Sequence, residues 1–226
     1  MDCLPLDYNS QEADRKEVTP TPVLLSLFET ERRKTMSEDI TTPMEAECKF
    51  RVEDHDATRR AIEQLGARFL VRENHCDTYL RHPSRDFRNT DEALRIREIN
   101  GSPYITYKGP RLSGQIKIRP EIELPLADGT LADWLKIWQS LGFTIALAVR
   151  KQRDVFQYQM ASRPFTITLD RVDELGWFAE IERILHHRSE VEQAESEIQQ
   201  VARSLGLREI EKRSYLGLLL ARIGNQ

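Results

Sequence analysis

Charged residues recur at every second position in four short stretches of this chain, and that alternation limits what it can fold into. In MEAECKF, Glu45, Glu47 and Lys49 alternate with Met44, Ala46, Cys48 and Phe50. Successive strand side chains point to opposite faces, so a β-strand here has one ionic face and one apolar face. The pattern returns in LRIRE (Arg95 and Arg97 against Leu94 and Ile96). It returns again in IKIRPEIEL (Lys117, Arg119, Glu121 and Glu123 against Ile116, Ile118, Ile122 and Leu124) and in AEIE (Glu180 and Glu182 against Ala179 and Ile181). A solvated face of salt-bridged charges accounts for any one of these segments. Four of them, carrying both signs, point to a sheet closed on itself, with charged faces converging on a lumen and apolar faces packed outward against helices. Clustered carboxylates in a lumen repel unless divalent cations neutralise them, and converging Arg and Lys side chains demand anions. Acids and bases in one cavity read as metal plus polyphosphate.

The chain between these segments supports an α+β fold. HDATRRAIEQLGA reads as a helix capped by Asp54 or Asp56, with Ala57, Ile62 and Leu65 as its apolar stripe and Gly66 as its stop. Strands are expected at residues 68–81, 92–100, 103–109 and 114–125, the middle pair joined by NGSP as a hairpin. DGTLADWLKIWQSLGF is an amphipathic helix whose Trp134 and Trp138 are core candidates. FTIALAVRKQRDVFQYQM supplies one or two strand segments, and PFTITLDRVDELGWFAEIERI a hairpin about DELG, placing Asp170 on the face of Glu180 and Glu182. The terminal RSYLGLLLAR is expected to cover one mouth of the barrel. The expectation is a closed antiparallel eight-stranded barrel with a polar lumen and helices outside.

Composition narrows the classes of function. The 33 cations and 37 acids interleave, leaving a net charge of −4 and no single-sign patch for nucleic acid. No apolar run is long enough to span a bilayer, and the N-terminus lacks the cationic start and hydrophobic core of a secretory signal, so the cytoplasm is the expected location. The cysteines Cys3, Cys48 and Cys76 have no CxxC spacing, and the five histidines make no HExxH. Any metal must therefore be held by carboxylates, which suits Mg²⁺ or Mn²⁺. Residues 1–40, polar apart from VLLSLF, read as a disordered tail before a domain at residues 43–222.

The order of these elements carries a resemblance. ExExK (Glu45, Glu47, Lys49), RxR (Arg95, Arg97), the lone strand lysine of TYKGP (Lys108), RxExE, KxR (Lys151, Arg153) and a late ExE are similar to the CYTH superfamily, the triphosphate tunnel metalloenzymes. The lettering of DTYLRHPSRDFRNTDEALRIRE is closest to the class IV adenylyl cyclase branch. The resemblance implies divalent metal on Glu45, Glu47 and Glu180, with Asp170 and Glu182 as further contributors and Glu180 ranked ahead of Glu182. Glu121 and Glu123 would bind metal or orient neighbouring cations. Lys49, Arg95, Arg97, Lys108, Lys117, Arg119, Lys151 and Arg153 would hold phosphates, and Glu45, Glu47, Lys49 and Glu180 would serve catalysis. In VRKQRD the alternation is blurred, and family spacing favours Lys151 and Arg153 over Arg150. The implied substrate is ATP, converted to cyclic AMP and pyrophosphate, with hydrolysis of inorganic triphosphate, thiamine triphosphate or a nucleotide as the alternative. A third reading is a noncatalytic polyphosphate sensor. The superfamily includes dimers, so a homodimer is compatible with the resemblance.

Overall fold

The first strand, β1 (Met44–Val52), is buried on both sides. Glu45, Glu47 and Lys49 are 8%, 7% and 3% exposed, while Ala46 and Cys48 on the opposite face are 0% and 2% exposed. A strand that buries ions on one face and hydrophobes on the other needs a polar interior on one side and an apolar layer on the other. A closed barrel supplies both. The computed structural model of the protein describes residues 43–112 and 116–224, and within them eight antiparallel strands close in the order β1-β5-β4-β3-β2-β6-β7-β8. These are β2 (Arg68–Arg81), β3 (Ala93–Ile99), β4 (Ser102–Lys108), β5 (Lys117–Pro125), β6 (Thr144–Met160), β7 (Arg163–Val172) and β8 (Gly176–Leu185). The reading of residues 1–40 as a tail, with VLLSLF and Cys3, falls outside the described residues.

Local chemistry sets the connections. Asn100 and Gly101, with φ of 50° and 95°, form a two-residue turn between β3 and β4, the residue pair that this left-handed geometry favours. β6 is one strand of 17 residues, because it pairs with β2 along nearly its whole length and with β7 over its second half. The β6–β7 turn puts Ala161 and Ser162 at φ of 46° and 67° without a glycine. An L-residue in this region costs roughly 1–2 kcal/mol. We expect Ala161→Asn with Ser162→Gly to stabilise the fold by about 1 kcal/mol, raising the thermal midpoint by about 2–4 °C. A lower midpoint in calorimetry would contradict that assignment.

Helices cover the apolar outer faces. α1 (His55–Gln64) is capped by Asp54, whose carboxylate accepts a 2.9 Å hydrogen bond from the Ala57 amide. α3 (Val191–Ser204), after a short 3₁₀ turn at Arg188–Glu190, lays Ala194, Ile198 and Val201 on the outer faces of β1 and β8 in one cluster with Cys48, Phe50 and Ile181. Buried Glu197 fastens it there through Arg183 at 2.7 Å and Arg163 at 2.5 Å. α2 (Leu131–Ser140) is a looser cover, with Trp134 and Trp138 half-buried against Leu80, Leu94 and Ile96. α4 (Tyr215–Gly224) stops one mouth, packing Tyr215, Leu218 and Leu219 on Tyr79, Val149, Val172 and Phe178. The Glu211 amide donates to the Lys49 carbonyl at 2.8 Å and the Arg51 amide to the Glu209 carbonyl at 3.0 Å, so the approach to α4 extends the β1 edge.

Candidate metal and polyphosphate site

The barrel interior and the loops at its mouth line an open cavity of about 1350 Å³. Every charged residue singled out from the sequence lines it, with the exception of Asp170. Lys151 and Arg153 face the lumen, whereas Arg150 is exposed.

Register decides which carboxylates meet. Glu47 lies directly across from Glu182 in the β1–β8 pair, and Glu45 is the next residue on the same face. One carboxylate oxygen from each of Glu45, Glu47 and Glu182 lies within 4.8 Å of the others. Burial and the neighbouring carboxylates, Glu45 foremost, push the Glu182 carboxyl up to about 8 against the opposing pull of Arg153. Burial acts the same way on Glu47, but Lys117 at 2.8 Å, with Lys49 and Lys108, outweighs it and holds that group at about 2. An oxygen-only donor set crowded enough to keep a proton near neutral pH fits a hard divalent cation, which would replace that proton.

The other acids are engaged differently. Glu180 pairs with Lys49 at 3.2 Å and with the Arg153 guanidinium, so the structure brings Glu182 rather than Glu180 to the ExExK pair. Asp170 is 0% exposed and lies behind the lining. It accepts from Arg153 Nε and Nη2 at 2.7 and 2.6 Å, from Lys151 Nζ at 3.2 Å and from the Tyr215 hydroxyl at 2.9 Å. Its lone pairs are spent on orienting cations. Glu121 meets Lys108 at 2.5 Å, and Glu123 accepts from the Thr106 hydroxyl at 2.6 Å.

The cations form a ring of forks and points. Lys108 bridges Glu45 and Glu121, each at 2.5 Å. Lys49 Nζ sits 3.7 Å from the centroid of the Tyr215 ring, a cation–π contact inside the lumen. Among the described residues no carboxylate pairs with Arg119, which leaves its guanidinium available to an anion. Burial, reinforced by Arg153, pulls Lys151 down to about 8 despite Asp170 and Glu180. The charged form is the one that attracts phosphate, and it dominates below that value. Affinity for inorganic triphosphate in the presence of a chelator is therefore expected to fall as pH rises from 7 to 9, with the loss of the Glu182 proton near the same pH acting in the same direction. An affinity independent of pH over that range would remove Lys151 from the phosphate site.

Alternation within β2 did not disclose Asp77, whose strand places a histidine and a tyrosine at the neighbouring same-face positions instead of further charge. Asp77 is 1% exposed. It accepts from Arg97 Nε at 2.7 Å and Nη2 at 3.0 Å, and from Arg95 Nη1 at 3.0 Å. Tyr79, Thr106 and Tyr215 also line the cavity and carried no charge by which to be found.

A closed eight-stranded barrel whose ion-lined interior places carboxylates beside arginines and lysines defines a tunnel protein with a charged lumen. The CYTH domain family matches residues 43–215, and the chain belongs to that family. It is 31% identical, over 77% of its length and 98% of the relative's, to a Methanocaldococcus jannaschii protein called "putative adenylate cyclase". A solved protein of Pyrococcus horikoshii OT3 superposes with a TM-score of 0.71 at 37% identity, covering 79% of this chain and 99% of that one. A Hippeastrum protein described as a "putative adenylyl cyclase" with a dominant triphosphatase activity shares the fold, with a TM-score of 0.58 at 17% identity over 80% of this chain and 96% of that one.

Proposed function

We propose that this chain is a divalent-metal-dependent enzyme acting on a triphosphate, of the class IV adenylyl cyclase type, which converts ATP to cyclic AMP and pyrophosphate. The observation that carries this reading is the convergence of Glu45, Glu47 and Glu182 in the same lumen as Arg95, Arg97, Arg119 and Lys151. The functional unit is residues 43–222. Glu45, Glu47 and Glu182 would hold Mg²⁺ or Mn²⁺, which supplies charge neutralisation and Lewis acidity toward phosphate oxygens. Arg95 and Arg97 offer planar forks to adjacent phosphates, while Lys49, Lys108, Lys117 and Lys151 act as point charges. The charged side chains of the lining are themselves largely buried, so each of these interactions acts in a medium of lower dielectric than bulk water. Such catalysis is positioning and charge stabilisation more than covalent chemistry by the protein.

In the cyclase reaction the ribose 3′-hydroxyl gives up its proton to solvent as its oxygen bonds to the α-phosphorus, the bond to the oxygen bridging to the β-phosphorus breaks, and pyrophosphate leaves. A second reading, triphosphatase, is favoured by the lining itself, whose charged residues address phosphates and not a base. There a water oxygen bonds to the terminal phosphorus as the water gives up a proton to solvent, the bond from that phosphorus to its bridging oxygen breaks, and the diphosphate part leaves, with orthophosphate as the other product. Purified protein with Mg²⁺ or Mn²⁺, offered ATP and inorganic triphosphate separately, decides between them. Cyclic AMP with equimolar pyrophosphate supports the first reading and orthophosphate without cyclic nucleotide the second. Tight binding with neither product points to a sensor.

A further inference from the structure

Two aspartates lie behind the cavity lining, each holding a pair of cations toward the lumen. Asp170 holds Lys151 and Arg153, and Asp77 holds Arg95 and Arg97. The Asp77 set has a second feature, because its arginines also have looser partners. Arg95 Nη2 lies 3.9 Å from Glu121 and 3.8 Å from Glu123, and Arg97 Nη1 lies 3.6 Å from Glu123. Those separations are ion-pair contacts and exceed hydrogen-bonding distance. Arg95 Nε has no hydrogen-bond partner although it is fully buried. The donors therefore divide into those fixed on Asp77 and two, Arg95 Nη2 and Arg97 Nη1, that face the lumen-lining Glu121 and Glu123 at ion-pair distance.

We infer that Asp77 is a positioning residue for polyphosphate binding, whose single carboxylate sets Arg95 and Arg97 side by side for adjacent phosphates, and that Glu121 and Glu123 are the partners these arginines exchange for the phosphates. This inference rests on the triphosphate reading above. Arg97 spends its Nε–Nη2 edge on both Asp77 oxygens, a bidentate fork that fixes the guanidinium plane. Arg95 spends Nη1 on Asp77 and on the Tyr79 hydroxyl, at 3.0 and 3.3 Å, which leaves Nε and Nη2 free of close partners. Without the shared carboxylate the two buried like charges repel and lose the anchor that holds them side by side. A fork misplaced by about 1 Å loses much of the advantage of preorganisation.

The sign of the effect tests this directly. Asp77→Asn and Glu123→Gln each remove one negative charge from the region of the same arginines, so simple attraction makes both tighten anion binding. The inference gives them opposite signs. Calorimetric titration of inorganic triphosphate and of orthophosphate, with chelator present and folding checked by circular dichroism, should show Asp77→Asn weakening triphosphate about tenfold or more. Glu123→Gln should tighten it about two- to fivefold. The ratio of triphosphate to orthophosphate affinity should fall with Asp77→Asn, because a matched pair of forks is useful only to a ligand with adjacent phosphates. Asp77→Glu keeps the charge and shifts the carboxylate by one methylene. It should weaken triphosphate binding severalfold, and it carries the test if Asp77→Asn does not fold. An Asp77→Asn or Asp77→Glu protein that matches or exceeds the wild type would overturn the inference, as would one that merely loses binding-competent protein while its folded fraction keeps the wild-type ratio. Glu123→Gln weakening triphosphate as Asp77→Asn does would overturn the division between anchor and exchangeable partner. A wild type that binds no triphosphate, with or without metal, would overturn the functional reading and this inference with it.

Discussion

Glu45→Ala is expected to lower metal-dependent turnover of a triphosphate by on the order of a thousandfold while leaving the barrel folded. The expectation of an intact fold follows from how its partner is shared. Lys108 meets both Glu45 and Glu121 at 2.5 Å, so removal of Glu45 leaves the lysine paired. It also takes one carboxylate away from Glu182, whose burial beside Glu45 and Glu47 is unfavourable without a cation. Glu47→Ala is a harsher change, because Glu47 is the only carboxylate that pairs with Lys117 among the described residues. Circular dichroism and steady-state kinetics on Glu45→Ala separate the roles. Lost activity with a native spectrum assigns Glu45 to the site. Lost spectrum with lost activity makes it a structural ion-pair partner.

Metal should stabilise the protein, and more so at pH 8 than at pH 6.5. Glu182 carries a folded-state value near 8 against an ordinary 4.5. Between those values the folded protein retains a proton that the unfolded chain has released, so metal-free stability falls as pH rises across the window. Two other shifted groups act mainly outside the chosen limits. His75, lowered to about 2 by burial and then by Lys151, Arg97 and Arg153, matters below its unfolded value of 6.5. Lys151, lowered to about 8, matters above it. Between pH 6.5 and 8 the metal-free protein should therefore lose about 1 kcal/mol, the smaller opposing contributions of His75 and Lys151 included. Mg²⁺ or Mn²⁺ at a hundredfold excess over its dissociation constant adds about 2.7 kcal/mol, or about 5–10 °C in thermal midpoint. Scanning calorimetry at the two pH values, with chelator and with each metal, reads both effects. A midpoint indifferent to metal at pH 8 would deny the three glutamates that role.

Alternation carried most of the fold, because a period of two identifies a strand face without reference to its neighbours. It placed Glu45, Lys49, Arg95, Lys117 and Glu182 in one lumen before any pairing was known. Depth along the barrel was not legible in the same way. Whether Glu180 or Glu182 meets Glu47 depends on the β1–β8 register, which parity leaves open by steps of two. For the same reason Asp170 shared a face with the lumen carboxylates, yet the structure sets it behind Lys151 and Arg153, where Tyr215 of α4 also reaches it. Asp77 escaped because its function as an anchor needs one charge, and one charge makes no pattern. The turn at Ala161 and Ser162 was invisible because neither residue type signals a left-handed backbone.

The central property proposed for the lumen is that it holds a divalent cation and a triphosphate together. Calorimetric titration of inorganic triphosphate into the full chain, once with Mn²⁺ and once with chelator, tests that most directly. The predicted result is one triphosphate per chain in both conditions, with affinity raised at least about tenfold by the metal. Equal affinity with and without Mn²⁺, or no binding in either, would contradict it.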